Sequence, residues 1–266
     1  MLVRIDTSPY SLVNNNLKRH AAFFGIIICN VRKLGLMLTL FHHFMSTDSR
    51  FVRLGLSEYG VEFDMVEEKP WLRRREFLSI NPAGTIPVLV AERNQIIPGA
   101  MVVAEYLDET RGALKRERRL LAEDPFERVE ARRLCDWFLG KMENEVTRHL
   151  VRERIFKLLM TTEEGGGAPD SAAIRAARAN IKQHMKYLNW LAGTRNWLAG
   201  SRFSYADLAA GAAISILDYI GEVDWKDASA AKDWYVRVKS RPSFRPLLAD
   251  RVRGIAPSSH YADLDF

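Results

Sequence analysis

Asn81-Pro82-Ala83-Gly84-Thr85-Ile86-Pro87-Val88-Leu89-Val90 is the stretch whose reading decides the fold of this chain. Asn-Pro-Ala-Gly is turn chemistry, and Val-Leu-Val is an apolar strand. Pro87 stands between them, at the first position of the strand, where no ladder donor is lost. If the Ile86–Pro87 bond is cis, the chain turns sharply and leaves flanking N–H and C=O groups able to pair with something extended. The other reading of the same ten residues is an ordinary loop-to-strand turn.

Outward from this stretch, the order of elements gives the architecture. Met37–Phe41 reads as a strand and Thr47–Tyr59 as a helix carrying Phe51, Leu54 and Leu56 at helical spacing, stopped by Gly60. Val61–Val66 alternates as a strand, Leu72–Ser79 is a short basic helix or turn, and Pro87–Ala91 with Gln95–Ile97 forms a hairpin. Met101, Val102, Val103, Tyr106 and Leu107 mark a helix ending before Gly112. The order β-α-β-α-β-β-α is that of a thioredoxin-like α/β domain over residues 37–112. Residues 113–123 form a charged linker, beyond which strand signals vanish. Asp124-Pro125 caps a long helix with apolar positions at Val129, Leu134, Trp137, Phe138 and Val146. Asp170 or Ser171 caps the next helix, and Ser204-Tyr205-Ala206-Asp207 caps a small-residue helix placed at the centre of the bundle. The all-α domain spans 124–253, followed by a tail, 254–266.

Composition narrows the function classes. The chain has 266 residues, 47% hydrophobic and 27% charged, ordinary for a globular protein. Its net charge of +6 concentrates in the first 36 residues, leaving about +2 for the rest, which is no nucleic-acid footprint. Cys29 and Cys135 lie far apart, without metal or redox spacing, which fits a reducing cytoplasm. The apolar run Ala21–Cys29 is too short to span a bilayer and lacks a small-x-small cleavage site, so no stable membrane insertion is expected. The preferred reading is translation from Met37, with 1–36 an over-extended frame or disordered tail; a membrane-targeting tail is the alternative.

The element Asn-Pro-x-Gly-x-x-Pro-x-Leu, the two-domain order, the Ser-x-Ala-Asp cap and the Arg-Pro-Ser turn at 241–243 together resemble the glutathione transferase superfamily across residues 37–250. The resemblance implies a cis Pro87 with the backbone of Ile86 facing the cysteinyl part of glutathione, and a catalytic hydroxyl or thiol near the start of the first helix. Strand one ends in Phe41, so no tyrosine serves there, and Ser46 holds the catalytic place. The same serine suits an N-cap. The family's acidic residue and serine, which hold the γ-glutamyl group, fall here on Gly99 and Ala100. Losing two hydrogen bonds to charged groups at about 1.5–3 kcal/mol each would weaken binding by two orders of magnitude or more. Glutathione is therefore expected to bind weakly and no cofactor or metal to be required.

Two further stretches carry a different reading. Glu67-Glu68-Lys69-Pro70-Trp71 sets a tryptophan ahead of three arginines, and Tyr261, Asp263, Leu264, Asp265 and Phe266 form an acidic, aromatic ending that either docks back on its own domain or offers a short linear motif to a partner. With Met37–His43 and Asn81–Gly84, these resemble the branch of the superfamily that binds the tubulin homologue FtsZ. That resemblance implies a cytoplasmic homodimer at the division site, non-catalytic, contacting FtsZ filaments through Trp71 and the tail. The alternative is a glutathione S-transferase that conjugates small electrophiles through Ser46; a general stress or chaperone-type adaptor is a third reading.

Overall fold

The computed structural model describes residues 38–115 and 118–264. The expectations placed on residues 1–36, Cys29, Asp265 and Phe266 lie outside the described residues.

The N-terminal domain runs β1 (Leu38–His42), α1 (Thr47–Glu58), β2 (Phe63–Glu67), α2 (Arg75–Ile80), β3 (Val88–Val90), β4 (Ile96–Pro98) and α3 (Ala100–Thr110). The sheet order is β2-β1-β3-β4, with β1 parallel to β2 and antiparallel to β3. The register sets Leu40 opposite Leu89, and Leu89 opposite Ile97, so one apolar row crosses the sheet toward α1 and α3. Phe41, Phe77, Val88 and Val90 make a smaller core under α2 on the other face. The expected thioredoxin-like order is present, with a short 3₁₀ turn at Pro70–Leu72 ahead of α2.

The second domain is helical. α4 begins as Pro125–Cys135 under the Asp124 cap and continues through π-helical turns to residue 159. There follow α5 (Ser171–Thr194) with Asp170 as its cap, α6 (Tyr205–Tyr219), α7 (Ser229–Lys239) and, after a 3₁₀ turn at Pro242–Phe244, α8 (Arg245–Leu248). Every residue of α6 is buried, so the small-residue helix is the axis of the bundle. Its Gly211 lets α7 and the turn before α8 close in: a Cβ there would sit 3.0 Å from Val238 and 3.4 Å from Phe244.

Three sequence expectations need correcting. The stripe read on α1 assumed one buried face, yet Thr47, Ser49, Arg50, Phe51, Val52, Arg53, Leu54, Gly55 and Leu56 are all buried. The sheet covers one side of α1 and α6 the other, with Phe51 against Tyr205 at 5.5 Å between ring centroids. The linker is anchored rather than merely charged, because Leu120 and Leu121 enter the core and the Tyr205 N–H donates to the Leu120 carbonyl at 3.2 Å. Val129, read as an apolar position of α4, faces outward at 61% exposure.

The N-terminus of α6 shows how the bundle is pinned. Asp207 accepts from the Ser204 N–H (3.0 Å), from the Leu198 N–H (3.0 Å) and from Trp234 Nε1 (2.9 Å), while Ser204 caps the helix in return. Burial raises the Asp207 pKa, and these three donors oppose the shift. Asp207→Ala leaves three buried donors unpaired and is expected to cost about 3–5 kcal/mol in a urea titration. A loss under about 1 kcal/mol would mean the bundle does not depend on this cap.

Candidate functional site

The site that the sequence points to lies where the β1–α1 loop, the turn before β3 and the start of α3 come together. Asn81 builds the turn. Its Nδ2 donates to the Thr85 carbonyl at 2.8 Å, its Oδ1 accepts from the Ala83 N–H, and Gly84 takes a positive φ of 68°. The Ile86–Pro87 bond is cis as expected, Pro87 is buried, and its carbonyl accepts from the Gly99 N–H at 3.0 Å. Gly99 therefore joins the proline element to the start of α3. It sits at φ +92°, the left-handed region that favours glycine, and offers α3 no side-chain cap. Ala100 follows, buried, and the first turn of α3 carries no acidic residue. The backbone frame of an anion-binding helix start remains, without side chains that hold an amine or add a hydroxyl.

Ser46 is the N-cap of α1. Its Oγ accepts from the Ser49 N–H at 3.2 Å, in extended backbone geometry. A thiolate facing it would meet carboxyl groups close by. Thr47 Oγ1 donates to Glu143 of α4 at 2.6 Å, and Asp48 lies within the field of the same glutamate. Burial, and then Glu143, push the Asp48 carboxyl up to about 7, and burial raises Glu143 as well. A pair of carboxyls holding a proton at neutral pH opposes a neighbouring anion, the reverse of what thiol activation needs. Sequence reading missed Glu143 and Asp48 because they face each other only when α4 closes over α1.

His42 ends β1 and His43 follows it. His42 is fully buried against Phe44, and burial, then Arg53, lowers it to about 3. His43 Nδ1 accepts from the Met45 N–H at 3.1 Å, and burial, then Lys69, lowers it to about 4. Trp71 is half-buried here, 5.7 Å from the His43 ring and 4.9 Å from Phe156 of α4. The expectation of an outward-facing anchor is thus corrected: Trp71 packs into the wall between the domains, and only part of it remains for a partner.

The tail is corrected too. Tyr261 is fully buried, donating from its hydroxyl to the Leu247 carbonyl at 2.9 Å and accepting from Arg50 Nη1 at 3.2 Å. The Ser258 N–H donates to the Tyr219 carbonyl at 2.9 Å, Lys239 Nζ donates to the His260 carbonyl at 3.1 Å, and His260 Nε2 lies 2.9 Å from Asp218. Residues 258–261 dock on their own domain, so Tyr261 is an anchor and not a presented side chain. Asp263 and Leu264 beyond it are exposed. Cys135 is buried, its thiol pKa raised chiefly by burial, and takes no part. Among the described residues no cluster of His, Cys, Asp and Glu could hold a metal ion, and no helix is long and apolar enough to cross a membrane.

Comparison with known proteins gives a consistent set of relatives. Residues 46–110 match the model of the glutathione S-transferase N-terminal domain, and residues 171–237 that of the C-terminal domain. FtsZ-localized protein A of Caulobacter vibrioides is 46% identical over 229 residues, covering 85% of this chain and 97% of that protein. The solved structure of FzlA from C. crescentus superposes with a TM-score of 0.81 at 46% identity, over 87% of this chain and 100% of that one. A crystal structure of a glutathione S-transferase from Sinorhizobium meliloti 1021 superposes with a TM-score of 0.85 at 67% identity, over 86% of this chain and 100% of that one.

The carboxyl pair and the histidines act on stability with opposite signs. Asp48 has a raised pKa, so its contribution is complete below its ordinary value near 3.8 and is lost as pH rises through about 7. The contribution of neutral His43 is complete above 6.5 and is lost as pH falls through about 4. Asp48→Asn removes the first term alone. Its melting temperature is expected to exceed that of the wild type by about 2 °C at pH 8, with the gap narrowing at pH 5 and closing near pH 4. An offset that stays constant across this range would show that Asp48 titrates normally.

Proposed function

We propose that this chain, which belongs to the glutathione S-transferase family, binds FtsZ filaments at the bacterial division site and uses the transferase fold as a scaffold rather than a catalyst. The observation that carries the reading is the 46% identity to FtsZ-localized protein A over 97% of its length. The site is consistent with it: Gly99 and Ala100 supply no polar side chain, Ser46 is spent as a helix cap, and Asp48 and Glu143 stand beside it. In this reading glutathione is not required and binds weakly at most.

The surface offered to a filament in this reading is that around the exposed residues Asp263 and Leu264, which follow the buried Tyr261. A homodimer in the cytoplasm completes the proposal. Val102 of α3 and Val129 of α4 are 57% and 61% exposed, each one turn before a member of the Glu105–Arg132 ion pair. With Phe126, 84% exposed, they are the apolar side chains that these two helices offer to an interface.

A second reading, conjugation of glutathione to electrophiles, is favoured by the intact cis-proline element and by the Sinorhizobium meliloti relative. Co-sedimentation of the full chain with GTP-assembled FtsZ separates the two. The full chain is expected to pellet with filaments, and Leu264→Glu, a change at an exposed side chain, to reduce the pelleted fraction severalfold with an unchanged melting temperature. Truncation is the wrong probe, because removing Tyr261 opens the core. Failure of the wild type to pellet, together with saturable glutathione binding lost in Ser46→Ala, would put the transferase reading in front.

A further inference from the structure

The helical domain has a groove of its own along α5. From Arg178 to Asn189, residues at helical spacing line one wall over about 16 Å, at 1.5 Å per residue. The connection between α6 and α7 lines the other wall, and the space between them is about 580 Å³. We propose that this groove binds a short apolar peptide by its two free ends, the carboxylate on the α5 wall and the ammonium on the wall opposite.

The distribution of charge is the first argument. Lys182 and Lys186 stand one turn apart on α5, and Asp224 and Asp227 line the other side. Arg178 and Glu222 also line the groove but neutralise each other, through Nε at 2.7 Å and Nη2 at 2.8 Å. Two cations on one wall and two anions on the other remain. The side chains of Lys182, Lys186 and Asp227 make no hydrogen bond or ion pair among the described residues. Asp224 accepts from the Lys226 N–H at 3.1 Å, within its own loop. Exposed charges are ordinary taken singly, but here opposite signs are sorted onto two walls of one groove and do not close on each other. A ligand of one sign is drawn to one wall and repelled by the other, whereas a zwitterion gains from both.

The way the walls are held is the second argument. The Arg178–Glu222 pair ties α5 to the α6–α7 connection at one end of the groove. At the other end Asn189 Oδ1 accepts from the Ala231 N–H, in the first turn of α7, at 3.0 Å. Between these ties the lining is apolar, from Ile181, Met185 and Ala228, all buried. A groove fixed at both ends keeps its width without a ligand, so binding needs little reorganisation. Its volume lies within the range of small-molecule pockets. A dipeptide places its amine and its acid about 7 Å apart when extended, with two side chains free to meet the apolar lining. A free amino acid carries both charges on one carbon and cannot spread them over two walls.

The test is calorimetry of the full chain at low salt with the dipeptide Leu-Phe, its N-acetyl derivative and its C-terminal amide. The free dipeptide is expected to bind saturably with a Kd below about 1 mM, to weaken as salt is raised, and to bind roughly tenfold or more tightly than either blocked form. Lys182→Gln/Lys186→Gln should lower its affinity about tenfold and leave that of the amide unchanged. Asp227→Asn should lower it comparably and leave that of the acetyl form unchanged. These are exposed side chains without described partners, so both variants are expected to keep the wild-type melting temperature. Should the lysine variant melt early, Asp227→Asn on the opposite wall carries the same comparison. The proposal fails if the dipeptide gives no saturable heat up to about 20 mM, if a blocked form binds as tightly as the free one, or if affinity survives the changes on both walls.

Discussion

Two guanidinium groups buried on one helix govern how this molecule is assembled. Arg50 and Arg53 of α1 are 0% and 2% exposed, on a helix between a sheet and a helical bundle. A buried charge must be satisfied by oriented partners, and breaking such a pair by removing one member costs about 3–5 kcal/mol. Arg53 finds its partner in Asp250, through Nη1 at 2.6 Å and Nη2 at 2.9 Å. Arg50 is satisfied by the Phe44 carbonyl at 2.7 Å, Ser215 Oγ at 2.7 Å and the Tyr261 hydroxyl. These partners come from the loop before α1, the bundle axis and the tail, so one side chain fastens three parts of the chain.

This arrangement explains why the tail cannot be treated as a free appendage. Tyr261 supplies an acceptor that Arg50 needs, and Arg50 in turn steadies the Phe44 carbonyl at the entrance to the β1–α1 loop. The loop whose serine would face a thiol and the segment that leads to the exposed acidic end are therefore braced by the same guanidinium. A partner that grips Asp263 or Leu264 pulls on an anchored strap. Residues 258–261 are thereby fixed against the bundle, which sets where Asp263 and Leu264 leave it.

How much of this was legible in the sequence depends on the distance over which each fact is encoded. The Asn81–Val90 element, the Ser204–Asp207 capping box and the caps Asp124 and Asp170 are local, with donors and acceptors two to four residues apart, and they lie where the sequence places them. The partners of Arg50 and Arg53 in the bundle and the tail are 165 to 211 positions away, and no periodicity reports them. What the sequence does hold is an anomaly: two arginines standing in the buried run of α1, beside Phe51 and Leu54. Such positions call for a distant acceptor, and a reading of the apolar spacing alone reports neither the tail anchor nor the interdomain clamp. Tyr261 misled for the related reason that a tyrosine near the end of a chain reads as exposed until an acceptor for its hydroxyl is known.

Gly99 is held by backbone constraints from two elements at once. Its N–H closes on the Pro87 carbonyl and its carbonyl starts α3, so the backbone here is fixed by the proline element and the helix together. That geometry demands φ near +92°, which costs a side-chain-bearing residue of the order of 1–2 kcal/mol. A residue that binds a ligand's charge can offset the strain with the interaction it gains; once that interaction is no longer selected, glycine is the stable solution. A Cβ here would meet only Val102, at 3.9 Å, so packing does not exclude a larger side chain. Glycine relieves the backbone without disturbing the frame. The proline element and the start of α3 are thus one backbone unit, whose geometry is set by the hydrogen bond between Gly99 and Pro87 and not by any side chain at position 99.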